Sequence, residues 1–446
     1  MTETVDLVVI GTGPGGEALA NGAASAGLKV VAVEKHLVGG ECPYYGCIPS
    51  KMMLRAADAL AEARRASELA GDVAVTPSWA PVAERVSTQA TDGWNDAVAV
   101  KRLEDAGATV VHGVARLSGP KRVVVETPDG VTTEYAATRG VVLNPGTRPA
   151  EPPIDGLAGT PYWTNRDAVR ATELPRELVV VGGGPIACEL AQVFARFGTR
   201  VTVVQHAGRL LEKDEPEASA LLERVFVREG IRVLTGTDAT RVAHDGTTFT
   251  VTLSDGSALT ADRLLVAAGR RSNLDEVGAA DVTVDERMRA GDGLWVIGDV
   301  AGHGAFTHMS MYQSAIALRD ILGEDGPTAE YHAVPHTTFT DPEVGGVGLT
   351  EAAARDAGLE VRVGATDLAQ SSRGFTHGPG ADGLVKVVES DGVLVGATVV
   401  GPAGGEILAM LTLAVHARIP VDTLTTMIYA YPTFHRAIET ALGELG

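Results

Sequence analysis

The sequence predicts an α/β protein with two Rossmann-like nucleotide-binding domains and a C-terminal α+β domain. Glycine-rich turns follow apolar strand patterns near residues 11 and 182, and strand patterns after residue 331 are followed by helix patterns toward the C-terminus. The chain has 446 residues, of which 45% are hydrophobic and 53 are glycine. That length and composition suit several domains joined by tight turns.

The charge balance limits the partners of this chain. Its formal net charge is −20, from 37 Lys and Arg against 57 Asp and Glu. An acidic surface disfavours nucleic acid or an anionic membrane as the main partner. We find no basic and apolar leader pattern before the first strand and no apolar run of membrane-spanning length. With only three cysteines, the expectation is a cytoplasmic protein in a reducing compartment.

The first glycine-rich turn has the full context of a dinucleotide-binding fingerprint. The apolar strand Val5–Ile10 is followed by Gly11, Gly13 and Gly16, then by an alanine-rich helix and a second strand that ends at Glu34. Glycines at these positions let the backbone approach a pyrophosphate at a helix N-terminus. Glu34 is expected to accept hydrogen bonds from a ribose.

The second fingerprint begins with the strand at residues 178–181. Gly182, Gly184 and Ala187 form its turn and the start of its helix, and a further strand ends before Gln205. Two such units in one chain imply two bound nucleotides or an internal duplication.

The residues after that strand bear on the choice of nicotinamide nucleotide. An acid at this place binds the 2′-hydroxyl of NAD, but this chain has Gln205, then His206 and Arg209. An uncharged residue with cations nearby tolerates a 2′-phosphate. The sequence therefore favours NADPH, with NADH as the alternative. The other interpretation of His206 and Arg209 is an ordinary solvated turn.

Two of the three cysteines lie five positions apart, at Cys42 and Cys47. The pair could be buried thiols, metal ligands or a catalytic dithiol/disulfide with a small loop. No second cysteine pair or histidine cluster in the sequence completes a zinc site, which favours the redox interpretation. Cys188, inside the helix of the second fingerprint, is expected to be a small buried apolar residue.

The segment Gly-Gly-Glu-Cys-Pro-Tyr-Tyr-Gly-Cys-Ile-Pro-Ser-Lys at 39–51 resembles the redox-active segment of the class I pyridine nucleotide–disulfide oxidoreductases. These include the lipoamide, glutathione, mycothione and mercuric-ion reductases. The resemblance continues along nearly the whole chain. It implies FAD, a nicotinamide nucleotide, a small-molecule electron acceptor and a homodimer. The implied domains are an FAD domain in two segments (1–149 and 270–330), an NAD(P) domain (150–269) and a dimerisation domain (331–446).

The resemblance also assigns roles to the redox segment. Cys47 would be the sulfur beside the flavin, and Cys42 the sulfur that exchanges with substrate. Lys51 would lie near the reactive edge of the flavin ring and pair with Glu189. The other interpretation of Glu189 is an ordinary glutamate on a helix surface.

Further flavin contacts are implied by three other matches. Asp299, in a Gly-Asp pair at a strand end, would bind the ribityl chain. Gly146 lies in the segment that closes the first part of the FAD domain, where Asn144-Pro145 departs from the family's usual Ala-Thr. Gly269-Arg270 would open the return to that domain.

The C-terminus departs from the family at a catalytic position. Where the family has His-x-His-Pro-Thr-x-x-Glu, this chain has Tyr431 at the acid/base position and Arg436 at the carboxylate position. A phenol titrates near pH 10 and is a poor base at neutral pH. His435, oriented by Glu439, could substitute. Alternatively, those two residues are a surface pair on the last helix.

The leading hypothesis is an FAD-dependent oxidoreductase that passes electrons from NAD(P)H through FAD to a Cys42–Cys47 disulfide and on to a disulfide or thiophilic acceptor. Three alternatives stay open: a metal- or electrophile-reducing enzyme similar to mercuric reductases, a quinone reductase, and a redox-sensing flavoprotein. Mercuric reductases also have tyrosine at the position of Tyr431, but they add a C-terminal cysteine pair that this sequence lacks.

Overall fold

The computed structural model describes residues 2–280 and 282–445. The elements of the first third of the chain are β1 (Thr2–Ile10), α1 (Pro14–Ser25), β2 (Val30–Glu34), α2 (Glu41–Tyr44), α3 (Cys47–Leu69), α4 (Ala80–Arg85), a π-helical turn (Val86–Ala90), α5 (Ala97–Asp105), β3 (Thr109–His112), β4 (Val114–Gly119), β5 (Arg122–Glu126), β6 (Thr132–Leu143) and β7 (Thr147–Pro149).

The elements of the middle third are α6 (Asn165–Ala168), β8 (Glu177–Val181), α7 (Pro185–Arg196), β9 (Arg200–Val204), α8 (Pro216–Arg228), β10 (Arg232–Leu234), β11 (Ala239–His244), β12 (Phe249–Leu253), β13 (Ala258–Ala261), β14 (Arg263–Val266), β15 (Arg270–Ser272), a 3-10 turn (Leu274–Val277), β16 (Arg289–Gly291), β17 (Leu294–Val296) and a second 3-10 turn (Gly298–Ala301).

The last third contains α9 (Thr307–Leu322), β18 (Pro335–Thr338), β19 (Glu343–Gly348), α10 (Glu351–Asp356), β20 (Arg362–Asp367), α11 (Ser372–His377), β21 (Leu384–Ser390), β22 (Val393–Gly401), α12 (Gly404–His416), α13 (Val421–Thr425), a 3-10 turn (Phe434–Arg436) and α14 (Ala437–Gly443).

The chain forms two units, each assembled from separate stretches. The first contains the N-terminal residues up to Pro49 together with Glu84–Ala150 and Arg270–Tyr331. The second contains Ser50–Ala83, Glu151–Gly269 and the residues from His332 onward.

In the first unit the central strand is β1, which is parallel to both β2 and β6. The sheet runs in the order β16-β17-β6-β1-β2-β3. Leu7 and Val9 pack into one hydrophobic cluster, while Val8 and Ile10 pack into another. Alternate side chains of a strand point to opposite faces, so this strand is buried on both sides and is apolar at every one of these positions.

The strand order reverses at β1, which has β2 on one side and β6 on the other. In open parallel sheets, such a switch point leaves a crevice at the carboxyl ends of the strands, where ligands bind. The first glycine-rich turn begins at this end of β1.

The second unit holds a parallel sheet, β10-β9-β8-β14, and an antiparallel one, β11-β12-β13. Its C-terminal part forms a five-stranded antiparallel sheet in the order β18-β19-β22-β21-β20. Leu411 from α12 and Ile438 from α14 are fully buried in the cluster that covers this sheet. The predicted α/β class, with two parallel sheets and a C-terminal α+β layer, is confirmed.

Three local features differ from what the sequence pattern predicts. The pattern predicts a helix over about 51–69, but this helix begins at Cys47. It predicts a helical stretch around Trp94, which instead lies in a turn with φ of 58° before α5 begins. It also predicts that the last helix starts at Tyr431, but this helix begins at Ala437. Within residues 2–280 and 282–445, no helix has both the length and the apolar character needed to cross a membrane.

Close packing of β20 on α14 gives a stability prediction. A Cβ atom added at Gly364 would approach the carbonyl oxygen of Ala441 to 1.9 Å. We expect Gly364→Ala to lower the free energy of unfolding by about 1–3 kcal/mol, because the backbone must shift. Urea unfolding monitored by circular dichroism measures this.

The control is Gly443→Ala on α14, where an added Cβ meets nothing within 4 Å. It should change the free energy of unfolding by less than about 1 kcal/mol, the difference in helix propensity. Equal effects of the two substitutions would contradict this packing.

Candidate active site

The first glycine-rich turn accepts no side chain where the chain reverses. Gly11 has φ of +87°, and a Cβ there would lie 2.2 Å from the carbonyl oxygen of Asn144. A Cβ at Gly16 would lie 2.0 Å from the carbonyl oxygen of Gly11. Gly13 immediately precedes α1, whose first residue is Pro14. The turn therefore exposes backbone N–H groups at a helix N-terminus, the arrangement that binds pyrophosphate.

Glu34, at the end of β2, is buried and holds the shape of this turn. Its Oε2 accepts from the Thr12 N–H at 2.8 Å and from the Thr12 hydroxyl at 2.9 Å. Its Oε1 accepts from the N–H of His36 at 2.9 Å. The carboxylate is thus fixed in orientation. Both lone-pair positions of Oε2 are used, whereas Oε1 accepts one hydrogen bond and keeps acceptor capacity for a ribose hydroxyl.

Asn144 cross-links the first fingerprint to the strand that precedes Asp299. Its side chain is buried. The amide orientation that satisfies both ends places its oxygen 3.0 Å from the N–H of Gly16 and its nitrogen 3.2 Å from the carbonyl oxygen of Ile297. The sequence identified Asn144-Pro145 only as a departure from the family. An amide that both donates and accepts was the signal for this bridging role.

A second link joins the segment after Asn144 to Asp299. The Thr147 hydroxyl donates to Asp299 Oδ2 at 2.9 Å, and the Arg270 Nε donates to that hydroxyl oxygen at 2.6 Å. Arg270 also donates to the carbonyl oxygen of Thr147 at 2.8 Å. Gly146 and Gly269, which precede Thr147 and Arg270, have φ of +65° and +127°. Thr147 was not singled out from the sequence.

The cysteine segment packs against the first fingerprint. Gly40 has φ of +68°, and a Cβ there would lie 2.8 Å from the Cα of Gly13. Cys42 lies on the single-turn helix α2, and Cys47 is the first residue of α3. A Cβ added at Gly46 would lie 3.8 Å from the Cα of Cys42, so the intervening loop folds back on itself.

Cys47 lies beside a hydroxyl group and at the N-terminus of a helix. Its Sγ is 3.3 Å from the hydroxyl oxygen of Thr307, the first residue of α9. As the first residue of α3, it also lies at the positive end of a helix dipole. Both Cys42 and Cys47 are half-buried.

The second fingerprint, like the first, begins with a glycine that no other residue could replace without a clash with backbone. Gly182 has φ of +118°, and a Cβ there would lie 2.4 Å from the carbonyl oxygen of Ala267. Gly184 faces open space, and Ala187 is fully buried on α7. Cys188 is also fully buried, as expected, and burial raises the pKa of its thiol far above the ordinary range.

The residues expected near the 2′-position of the nicotinamide nucleotide divide into two groups. Gln205 and His206 follow β9, and the exposed His206 ring contacts Asp238 at 2.6 Å. Arg209 instead donates to the backbone carbonyl oxygens of Glu212 and Asp214, at 2.5 and 3.0 Å. Its guanidinium group therefore closes its own turn, a local use that the sequence did not indicate.

In the second unit, Lys51 and Glu189 form an ion pair. The Lys51 Nζ lies 3.0 and 2.8 Å from the two carboxylate oxygens of Glu189. The same carboxylate accepts from the N–H of Phe339 at 2.9 Å, and Lys51 lies 4.6 Å from the centroid of the Phe339 ring. The Glu189 side chain is only 6% exposed, so it is not an ordinary surface glutamate.

A row of buried polar side chains continues along α7 from Glu189. The Gln192 amide donates to the carbonyl oxygen of Asp341 at 2.8 Å. The Arg196 guanidinium is 3% exposed and lies 2.7 Å from carboxylate oxygens of Asp58, Glu229 and Asp341. Burial opposes this charge, yet the hydrogen bonds and charges of Glu229 and Asp341 hold the pKa of Arg196 above its ordinary value. Because Asp58 is on α3, the Arg196–Asp58 ion pair holds α3 beside α7 within this unit.

The C-terminal candidates lie in different surroundings. Tyr431 is 70% exposed in the single chain, with the Arg436 guanidinium 5.7 Å from its ring centroid. Glu439 pairs with Arg436 at 3.0 Å, so its carboxylate is directed to Arg436 and not to His435. The His435 ring lies 6.0 Å from that of Tyr429. The proposed orientation of His435 by Glu439 is thus absent from the single chain in the part that the structure describes.

Two protein-family descriptions match this chain. "Pyridine nucleotide-disulphide oxidoreductase" matches residues 5–317, and the dimerisation domain of the same family matches residues 334–442.

Characterised relatives match over nearly the full length. A dihydrolipoyl dehydrogenase from Thermus scotoductus is 34% identical over 99% of this chain and 98% of its own length. A mercuric reductase from Streptomyces lividans is 34% identical over 98% of this chain and 95% of its own length.

Solved structures share the fold. LpdA from Mycobacterium tuberculosis aligns with a TM-score of 0.86 and 27% identity, over 99% of this chain and 100% of its own. The Cu(II) complex of the HOCl-induced flavoprotein disulfide reductase RclA from Escherichia coli aligns with a TM-score of 0.87 and 24% identity, over 99% of both chains. The family comprises flavin-dependent oxidoreductases that use FAD and NAD(P)H. Because the family descriptions match residues 5–317 and 334–442, this chain belongs to the pyridine nucleotide–disulphide oxidoreductase family.

Proposed function

We propose that this protein passes electrons from NAD(P)H, through FAD, to a Cys42–Cys47 disulfide and on to a disulfide or thiophilic acceptor. The observation that carries the proposal is the packing of the cysteine segment on the first fingerprint. The backbone of Gly40 approaches that of Gly13 so closely that a Cβ would lie 2.8 Å from the Gly13 Cα. This contact supports a dithiol next to a bound dinucleotide.

The residues of the first unit fit FAD. The turn at Gly11, Gly13 and Gly16 forms only because a Cβ at Gly11 or Gly16, which would meet backbone oxygen atoms, is missing, and it presents backbone N–H groups to a pyrophosphate. Glu34 offers its Oε1 to a ribose, and Asp299 lies at the strand end where the ribityl chain would bind. Bound FAD would supply two-electron transfer between a nicotinamide nucleotide and a disulfide.

The chain's own residues would supply the thiol chemistry. Cys47, at the N-terminus of α3 and beside the Thr307 hydroxyl, would be held as the thiolate on the flavin side. Cys42 would exchange with the acceptor. Lys51, fixed by both oxygens of Glu189, would present a localised positive charge.

For the nicotinamide nucleotide we propose NADPH, with NADH as the weaker alternative. The absence of a carboxylate at Gln205 supports this, because a carboxylate there would repel a 2′-phosphate. His206 is 85% exposed and its Nδ1 is paired with Asp238, so its Nε2 is the atom that would contact a phosphate, whereas Arg209 is bound to backbone carbonyls. The proposed phosphate contact therefore depends on Gln205 and His206.

A homodimer is part of the proposal. The region matched to the dimerisation domain exposes large apolar side chains in the single chain, including Phe375 (83%), Ile428 (96%) and Tyr431 (70%). Burial of such side chains favours association. Tyr431 would then act at the partner's dithiol, donating a hydrogen bond to a leaving thiolate.

The acceptor class follows from the relatives and from Tyr431. Similar proteins are named for a dihydrolipoyl substrate and for mercuric ion. The oxidised form of a dihydrolipoyl group is a disulfide, and both a disulfide and a soft metal ion react with thiolate sulfur. A phenol exchanges protons poorly at neutral pH, so fast exchange with dithiols is disfavoured relative to a thiophilic electrophile.

Cysteine substitutions test the dithiol. Cys42→Ser and Cys47→Ser should abolish NADPH-dependent reduction of a small disulfide or of Hg(II), because neither can form the disulfide. FAD content, read from absorbance, should stay as in the unsubstituted protein. Steady-state assays of NADPH oxidation measure this.

Cys188→Ala is the matched control, since Cys188 is fully buried and burial raises the pKa of its thiol, which disfavours the reactive thiolate. Its activity should stay within about twofold of the unsubstituted protein. Undiminished acceptor reduction by Cys42→Ser would contradict the dithiol role, and retained quinone reduction alone would favour the quinone reductase alternative.

The departure at Tyr431 gives a gain-of-function prediction. Tyr431→His should raise lipoamide reduction at pH 7 by at least about tenfold, because imidazole transfers protons near neutral pH. Arg436→Glu added to it should raise the rate further by orienting the imidazole. The control Tyr431→Phe keeps the ring and removes the hydroxyl. A rate unchanged in all three variants would mean that this position does not limit exchange.

A negative charge introduced at Gln205 tests the proposed preference for NADPH over NADH. Gln205→Glu should lower kcat/KM for NADPH by about tenfold or more relative to NADH, because a carboxylate near a 2′-phosphate is repelled. Gln370→Glu adds the same charge at an exposed position outside the fingerprints and should leave the ratio unchanged. An unchanged ratio in Gln205→Glu would refute the proposed contact.

A further inference from the structure

A left-handed turn after the π-helical turn lies against the dithiol loop. Asp92, Gly93 and Trp94 are consecutive and have φ of 49°, 66° and 58°. Non-glycine residues in this conformation cost about 1 kcal/mol each and persist only where surrounding contacts hold them.

Hydrogen bonds to the π-helical turn supply that support. The Thr91 hydroxyl donates to the carbonyl oxygen of Val86 at 3.0 Å, and the N–H of Gly93 donates to that of Ser87 at 2.7 Å. Thr91 is almost fully buried. The turn is therefore held from one side by the π-helical turn, and it also contacts the dithiol loop.

Those contacts are reciprocal. The Trp94 indole N–H donates to the carbonyl oxygen of Tyr44 at 3.2 Å. The Tyr44 hydroxyl donates to the carbonyl oxygen of Asn95 at 3.4 Å. The Tyr44 ring is 6% exposed, and burial raises the pKa of its hydroxyl, which keeps it a donor. Tyr44 lies between Cys42 and Cys47 in the sequence, so both bonds hold the loop that joins them.

The hydrogen bond from Trp94 to the loop compensates for the short length of α2, which leaves backbone carbonyl groups at its C-terminus without partners inside the helix. α2 spans Glu41–Tyr44, and the N–H of Tyr45 bonds to the carbonyl oxygen of Glu41 at 2.8 Å. The last carbonyl groups of any helix lack intrahelical partners. Trp94 supplies a donor to one of them from outside the motif.

We propose that Trp94 is a positioning residue that holds the Cys42–Cys47 loop in one geometry and so sets how readily the pair forms a disulfide. The proposal rests on the proposed function. A fixed loop keeps each thiol at high effective concentration for the other, and a loosened loop lowers it. Loss of the indole N–H therefore shifts the equilibrium toward the dithiol.

The equilibrium is measured in dithiothreitol buffers. The two thiols release two protons and two electrons as the S–S bond forms, and oxidised dithiothreitol takes up both and opens to its dithiol. Acid quenching, alkylation and mass spectrometry of the Cys42–Cys47 peptide give the fraction in each form. The holoprotein is used throughout.

Trp94→Phe keeps the aromatic ring and removes the N–H. We expect its disulfide-forming equilibrium constant to fall by about three- to tenfold, as for loss of one neutral hydrogen bond. A tenfold fall corresponds to about 30 mV for this two-electron couple. The control is Trp79→Phe, which removes a comparable indole bond to the carbonyl oxygen of Ala171 (2.7 Å) in the second unit. It should leave the equilibrium unchanged.

A backbone variant tests the same turn without removing any group. A Cβ at Gly93 meets nothing within 4 Å, so Gly93→Ala acts only through strain at its φ of +66°. It should shift the equilibrium in the same direction as Trp94→Phe. Gly130→Ala adds the same atom at φ of +83°, again with nothing within 4 Å, and should have no effect.

The outcomes separate this proposal from the one on which it rests. If the unsubstituted protein forms no disulfide at any buffer ratio, both the positioning role of Trp94 and the proposed function are contradicted. If it forms one and both turn variants match it within twofold, Trp94 is not a positioning residue, and the proposed function stands. A shift in both turn variants, with neither control shifted, supports the proposal.

Discussion

The dithiol loop and the first nucleotide-binding turn pack backbone against backbone, and this contact constrains the rest of the first unit. It requires glycine at Gly40, and the turn itself requires glycine at Gly11 and Gly16. Asn144 then joins the turn to the strand before Asp299 through one amide. The fingerprint is therefore linked to the dithiol loop through backbone packing and to the Asp299 strand end through the Asn144 side chain, and these contacts position the cysteines.

The second unit is organised around buried charge. α7 begins at the second fingerprint and carries Glu189, Gln192 and Arg196 along one face, at helical spacing. Breaking such a pair is costly, because the charge left behind has neither partner nor water. Glu189 and Arg196 are bound to Lys51 and Asp58, which belong to the helix that begins at Cys47. Within the second unit, the helix that begins at the second fingerprint is thus held to the part of α3 that carries Lys51 and Asp58.

The sequence predicts the features whose causes are local. Both fingerprints and the α/β class follow from strand patterns and from turns that only glycine can make. The pattern around Trp94 predicts a helix, whereas its conformation depends on Tyr44, fifty positions away, and on a left-handed turn that no pattern indicates. Arg209 was expected near a ribose, yet its guanidinium binds the carbonyls of its own turn. The sequence shows that Asn144 differs from the residue usual in the family, but its two hydrogen-bond partners, Gly16 and Ile297, are brought to it only by the fold.

The most direct test of this account is anaerobic addition of one equivalent of NADPH to the FAD-containing protein, followed by absorbance and then by alkylation and mass spectrometry. The account predicts that Cys42 and Cys47 become alkylated only after reduction, while the flavin absorbance returns to that of the oxidised form apart from a thiolate contribution at long wavelength. Bleaching of the flavin at one equivalent, with both cysteines unchanged, would contradict it, because the electrons would then stop before the dithiol.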